Sequence, residues 1–177
     1  MSGAPDRAAA GRRAGAGESA SLAAATIRCG DWASLRDAAA AVRTAVFIVE
    51  QRIPPELEWD EDDPVSVHCV AFVDGEPAAT GRLLPDGRIG RMAVLSARRA
   101  QGLGGEILER LVAVAAERGH AQVRLSAQCH AEGFYRCHGF EPDGAVFDDA
   151  GIPHLPMRRA LAQAEGPGDP KGGGSSG

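Results

Sequence analysis

Directly ahead of the most periodic helical stretch in this 177-residue chain stands the run Arg98-Arg99-Ala100-Gln101-Gly102-Leu103-Gly104-Gly105. The first turn of a helix presents unpaired N–H groups and a partial positive charge, so it can hold phosphate oxygens. Glycine at 102 and 104 lets backbone donors come close to an anion, and the guanidinium of Arg99, or of Arg98, adds a planar charged fork. Two familiar phosphate loops do not fit. A P-loop needs Gly-Lys-Ser/Thr, and no Lys is present here; a G-x-G-x-x-G fingerprint counted from Gly102 requires glycine where the chain has Ile107. By itself the run is either an anion-binding turn or a plain strand-to-helix turn.

The second segment able to do chemistry is Ala131-Glu-Gly-Phe134-Tyr135-Arg-Cys-His-Gly139-Phe140, which holds the only Tyr of the chain. Cys129-His130 and Cys137-His138 repeat at a spacing that spans a strand end and a helix and matches no zinc-ligand pattern, so no metal is expected. Helix neighbours point apart, which argues against a Cys137 nucleophile activated by His138. Four other groups could take a proton: Glu50, His68, His130 and His154. Their spacing singles out none of them. A third feature is acidic, with six carboxylates in the eight residues from Glu56 to Asp63.

The elements that must position these groups read as one domain. Residues 1–25, rich in Ala and Gly and without the apolar run of a signal peptide, are expected to be a disordered tail. Residues 166–177, ending in Gly-Gly-Gly-Ser-Ser-Gly, are expected to be a flexible one, leaving 26–165 to fold. Thr26–Cys29 is a strand candidate, and Asp31 caps a helix expected from Trp32 to about Gln51, with Leu35, Ala39, Val42, Ala45 and Val46 as its apolar stripe. Ile53-Pro54-Pro55 stops that helix. Ser66–Val73 and Ala78–Leu84 form a hairpin about Asp74-Gly75, and Pro85-Asp86-Gly87 turns into Arg88–Leu95. Gly105–Arg118 is the clearest helix, with Ile107, Leu108, Leu111, Val112, Val114 and Ala115 on one face. A strand over Val123–Ala127, a short helix over Ala131–His138, and strands near Ala145–Asp148 and His154–Ala160 complete the order. It predicts an α/β (α+β) domain with a mixed central sheet of about six to seven strands and helices on both faces.

Composition sets bounds on function. Hydrophobic residues at 44% and charged residues at 24% are ordinary for a globular domain, and no uncharged stretch approaches a membrane span. A net charge of −5 argues against sequence-independent nucleic-acid binding. Four Cys without regular spacing do not make a secreted disulfide scaffold. A small, acidic, cytoplasmic enzyme or binding module is expected, without a nucleic-acid or membrane partner.

The spacing Arg99-x-x-Gly102-x-Gly104 resembles the pyrophosphate-binding motif of the GNAT superfamily of N-acetyltransferases. The run Ala131-x-x-Phe134-Tyr135-x-x-x-Gly139-Phe140 resembles the signature of a later helix of that superfamily, in the right order and one helix and one strand away. Finer features resemble the ElaA-like branch: Arg43-Thr-Ala-Val46-Phe47-Ile-Val-Glu50-Gln51, Ile89-Gly90-Arg91, Ala127-Gln128 and Gly151-Ile152-Pro153-His154-x-x-Met157. The resemblance implies a GNAT fold, acetyl-CoA (coenzyme A) as cosubstrate, and acetyl transfer to a primary amine by direct attack on the thioester. The runner-up is a non-catalytic acyl-CoA sensor or interaction module on the same fold.

The resemblance also implies roles for single residues. Backbone groups of Met92, Ala93 and Val94 would hydrogen-bond the pantetheine arm like an added strand. The loop Arg99, Ala100, Gln101, Gly102, Leu103 and Gly104 would hold the pyrophosphate. Gln128 stands where many members carry Asn, near the thioester, and Phe134 lies beside the cofactor, with core packing as its main task. Tyr135 is the candidate general acid, because a thiol near pKa 8.5 leaves as thiolate while a tyrosine near 10 stays protonated. Glu50 and His154 are the substrate-side candidates, and no general base is assigned. The acidic run would be a solvated loop or an electrostatic lure for a cationic acceptor, with Trp59 offering a cation–π face. The expected partner is a small-molecule or peptide amine; dimers are common in the superfamily, so a homodimer is an expected assembly.

Overall fold

The computed structural model describes residues 25–162, so the two expected tails, save Ala25, lie outside the described residues. Within them, β1 (Thr26–Gly30), β2 (Val67–Val73), β3 (Glu76–Leu83) and β4 (Ile89–Val94) form an antiparallel sheet in that order. Asp74 and Gly75, at φ 54° and 83°, supply the two positive dihedrals of a tight hairpin turn between β2 and β3. A second sheet is built on β8 (Ile152–Ala160), which pairs with β5 (Gln122–Gln128), β6 (Glu141–Pro142) and β7 (Phe147–Asp149). Eight strands are therefore described where six to seven were expected. The unforeseen one, β6, is two residues long and too short to show a period. The sheets meet through a single parallel bridge, Arg88 to Arg124, and beyond it β4 and β5 carry no ladder and part.

Alternation along β2 sorts the helices onto opposite faces. Cys69, Ala71 and Val73 pack with Ile107, Leu108 and Leu111 of α3 (Leu103–Glu117), whereas Val70 packs with Leu35 and Ala39 of α1 (Trp32–Arg43). Each buried Val, Leu or Ile among them contributes about 1.5–3 kcal/mol. Cys29 and Cys69 stand opposite each other in the register of β1 and β2, and their sulfurs are bonded. Sequence spacing did not reveal this link, because register places the two residues together. No helix among the described residues is long and apolar enough to cross a membrane.

The first helix departs from expectation. Its α-helical part ends at Arg43, and Thr44–Glu50 is a π-helical segment, with Gln51 donating to the Val46 carbonyl at 3.0 Å. The run Thr44-Ala-Val-Phe-Ile-Val is rich in β-branched and aromatic residues, which hold the α form weakly. The wider turn buries both Val46 and Phe47 against Ala93 and leaves Ala45 only half-buried. It also rotates Val49 outward, at 69% exposure, and carries Glu50 and Gln51 to the gap between the sheets.

A bulge in β4 starts that gap. Thr80 pairs with Ala93 and Arg82 with Gly90, so Arg91 and Met92 together oppose Gly81. Arg91 takes φ 50°, uncommon for a side-chain-bearing residue. Gly81 allows the close approach, since a β-carbon there would meet the Met92 sulfur at 2.5 Å and a Leu111 methyl at 2.9 Å.

Candidate active site

Where β4 and β5 part, a cleft of about 1210 Å³ opens. Tyr135, the substrate-side candidates Glu50 and His154, and every expected cofactor-side residue border it except Gln101, which is exposed and turns its amide to the Ala97 carbonyl at 3.4 Å.

One end of the cleft is the head of α3. Gly102 caps it at φ 83°, and no side chain satisfies the first-turn N–H groups. These donors and the helix dipole face the Gly102 end, the arrangement that holds an anion. The turn is tightly packed: a β-carbon on Gly104 would sit 3.4 Å from a Val94 methyl, and one on Gly105 would sit 2.9 Å from the His138 ring. Arg99 lies beside it, donating from Nη2 to the Glu50 carboxylate at 2.7 Å and from Nε to the Val94 carbonyl at 3.1 Å. The Arg99 hydrogen bond, more than its charge, holds the Glu50 carboxyl below its ordinary value.

Further in, Gln128 Nε2 donates to Gln51 Oε1 at 2.9 Å, joining the end of β5 to the end of the π-helical segment. Tyr135 stands on α4 (Glu132–Cys137), 8% exposed, with its ring edge-on to Phe134 and Phe140. Burial pushes its hydroxyl up to about 12. Phe134 is not a core residue: it is 37% exposed, because its position on the short helix turns it to the cleft beside Gly104.

The three histidines and Glu50 separate clearly. His68 is buried outside the cleft, its Nε2 at 2.9 Å from the Asp63 carbonyl and its ring against Trp32, and burial depresses its pKa. His130 is exposed at the rim. His154, the register partner of Gln128, has Nδ1 at 2.8 Å from the Ile152 carbonyl. A carbonyl only accepts, so Nδ1 carries the hydrogen and Nε2 of the neutral ring keeps a lone pair. Glu50 is already held by Arg99.

The acidic run divides: Glu56 and Glu61 stay exposed, while Glu58, Asp60 and Asp63 are taken up by arginines. Glu58, at the end of α2 (Pro55–Glu58), and Asp63 are buried and both bind Arg43. Arg82 binds Asp60 and Asp63 at 2.6 Å each, and Arg91 binds Asp60 at 3.0 Å. Trp59 spends its ring face on this network, 4.7 Å from the Arg43 guanidinium, which lies 5.4 Å from Trp32 on another side. Burial outweighs Arg43 and Arg91 and raises the Glu58 carboxyl. Sequence reasoning missed the network because its cations come from α1, β3 and β4. It also passed over Arg124 and Ser126, although the alternation of Gln122-Val-Arg-Leu-Ser-Ala-Gln128 sets both in line with Gln128.

Residues 35–161 match the family described as an acetyltransferase (GNAT) domain. The chain is 39% identical over 122 residues to the uncharacterized N-acetyltransferase YjcF of Bacillus subtilis, covering 67% of this chain and 87% of that one. It is 30% identical over 131 residues to protein ElaA of Escherichia coli, covering 70% and 86%. Among solved structures, an acyl-CoA N-acyltransferase from Pseudomonas aeruginosa superposes with a TM-score of 0.69 at 36% identity, covering 77% of this chain and all of that one, 100%.

Proposed function

Because this chain belongs to the GNAT family of acetyltransferases, in its ElaA-like branch, we propose that it moves an acetyl group from acetyl-coenzyme A to a primary amine by direct attack on the thioester. One observation carries the reading: the uncapped, glycine-lined head of α3 and the buried Tyr135 open onto the same cleft at the parting of two strands. The cosubstrate would supply the activated acyl group. The first-turn N–H groups of α3 and Arg99 would hold its pyrophosphate, along the loop from Arg99 to Gly104. The edge of β4 that parts from β5, at Met92, Ala93 and Val94, would hydrogen-bond its arm, with Phe134 alongside and Gln128 near the acyl end.

Tyr135 would face the departing sulfur. Full proton transfer from a hydroxyl at about 12 to a thiolate whose conjugate acid is near 8.5 would cost roughly 5 kcal/mol. Its role is therefore a hydrogen bond to the sulfur as charge develops, followed by protonation from solvent. The Nε2 lone pair of His154 would take the proton of the attacking amine, and Glu50 would balance Arg99 when no pyrophosphate is bound.

The test is free-thiol release across a panel of amines and peptide N-termini, with coenzyme A affinity measured in parallel. Turnover of at least one amine is expected. Coenzyme A binding without turnover across the panel marks an acyl-CoA sensor on the same fold, and absence of both overturns the reading.

A further inference from the structure

On the face of the second sheet away from α3, three arginines stand side by side across three strands. Arg88, just before β4, bridges Arg124 of β5, and Arg124 is the register partner of Arg158 of β8. Like charges placed directly opposite in a sheet are destabilising, so the row is held at a cost. Its outer members are neutralised. Arg88 binds Asp86 at 2.7 Å, and Arg158 binds Glu141 at 3.2 Å and Asp143 at 3.5 Å. The middle member has no carboxylate partner among the described residues, and its guanidinium meets only the side-chain oxygen of Gln122, at 2.6 Å once that amide is turned oxygen-inward.

The neighbours of Arg124 fix where it points. Val123, Leu125 and Ala127 are buried in the core against α3, so Arg124, Ser126 and Gln128 share the other face, and all three line the cleft. Arg124 lies four residues from Gln128, roughly 13 Å along the strand, on the wall that carries His154. Of the carboxylates in the acidic run only Glu58 borders the cleft, and Arg43 engages it. Asp143 borders the cleft but is turned to Arg158, and Asp149 stands exposed on the β7 rim.

We propose that the acyl acceptor is an amine that also carries an anionic oxygen group, a carboxylate or a phosphate, held by the Arg124 guanidinium with Arg88 beside it. The amine end then lies toward Gln128 and His154. This rests on the acyltransferase reading and narrows it. A planar guanidinium suits both anions, since its fork donates two parallel hydrogen bonds. A polyamine, lacking the anionic group, would instead bring a second cation to the Arg124 guanidinium.

The experiment compares pentylamine, cadaverine, δ-aminovalerate and aminobutyl phosphate as acceptors, reading thiol release for the parent protein, Arg124→Gln and Arg124→Lys. Thermal melts check that each variant is folded, as the exposed position leads one to expect. Each compound is also titrated by calorimetry into the complex with coenzyme A. One of the two anionic amines should exceed cadaverine in kcat/KM by about tenfold or more, and Arg124→Gln should reduce that ratio by about tenfold. Arg124→Lys, keeping the charge without the fork, should fall between, and the better anionic arm tells carboxylate from phosphate. Cadaverine equal to or better than both anionic amines, or a ratio untouched by Arg124→Gln, overturns the proposal. If no amine is turned over but an anionic amine binds in an Arg124-dependent manner, the anion site stands and the acyltransferase reading falls. Absence of both Arg124-dependent turnover and Arg124-dependent binding overturns the anion site itself.

Discussion

The Arg99 guanidinium meets the Glu50 carboxylate at 2.7 Å, so the loop at the head of α3 is tied to the π-helical segment 49 residues earlier. On the proposed reading the same guanidinium would hold the pyrophosphate, so cofactor binding and this ion pair would compete for one cation.

Glu50→Gln should tighten coenzyme A binding, because the pyrophosphate no longer displaces a carboxylate. Exposed pairs of this kind are worth about 0–1 kcal/mol, so the gain is up to about fivefold in Kd by calorimetry. Weaker binding in the variant would show that Glu50 orients Arg99 for the anion instead of opposing it.

Arg99→Ala combined with Gly104→Asp should reduce coenzyme A affinity by about a hundredfold or more, by removing a charged fork and placing a carboxylate among the donors. The β-carbon added at Gly104 stands 3.4 Å from Val94, an approach the turn can absorb, so the fold should survive. Retained affinity would sink the pyrophosphate assignment.

Tyr135→Phe removes a hydroxyl that hydrogen-bonds no described residue, so the melting temperature should hardly move while kcat falls by about a hundredfold. Since burial holds that hydroxyl at about 12, the parent should show no alkaline loss from its ionisation up to about pH 10. Unchanged turnover in the variant would remove Tyr135 from the chemistry.

His154→Gln should lower kcat while leaving coenzyme A affinity unchanged, and the deficit should shrink at alkaline pH, where the acceptor amine arrives already neutral. A deficit that stays constant with pH would mean that His154 shapes the cleft without taking the proton.

Asp60 and Glu58 should pull the pH dependence of stability in opposite directions. Burial raises Asp60, but the hydrogen bond and charge of Arg82, then the charge of Arg91, outweigh it and leave the group below its ordinary 3.8. Its contribution is present above 3.8 and is lost as pH falls through the lower folded value. Glu58, raised above its ordinary 4.5 by burial, contributes below 4.5 and loses that contribution as pH climbs through its folded value. Urea midpoints of Asp60→Asn and the parent should accordingly differ at neutral pH and converge in acid. A gap independent of pH would contradict this.

What the residues determine on their own is local. The α3 face is read from its period, the hairpin from Asp74-Gly75, and the turn at the head of α3 from glycines, whose φ of 83° at Gly102 few other residues adopt. The motif about Tyr135 is contiguous, so its resemblance to a family was visible before any contact was known. The tertiary structure decided what depends on register and on the wall opposite. It sent Glu58, Asp60 and Asp63 of the acidic run inward to Arg43, Arg82 and Arg91, turned Val49 out and Gln51 in through a π-helical turn, and bonded Cys29 to Cys69. It also aligned Arg88, Arg124 and Arg158 across three strands. A side chain's charge is written in the sequence, but whether that charge is spent on a neighbour or left for a ligand is settled only when strand pairing and burial choose its partners.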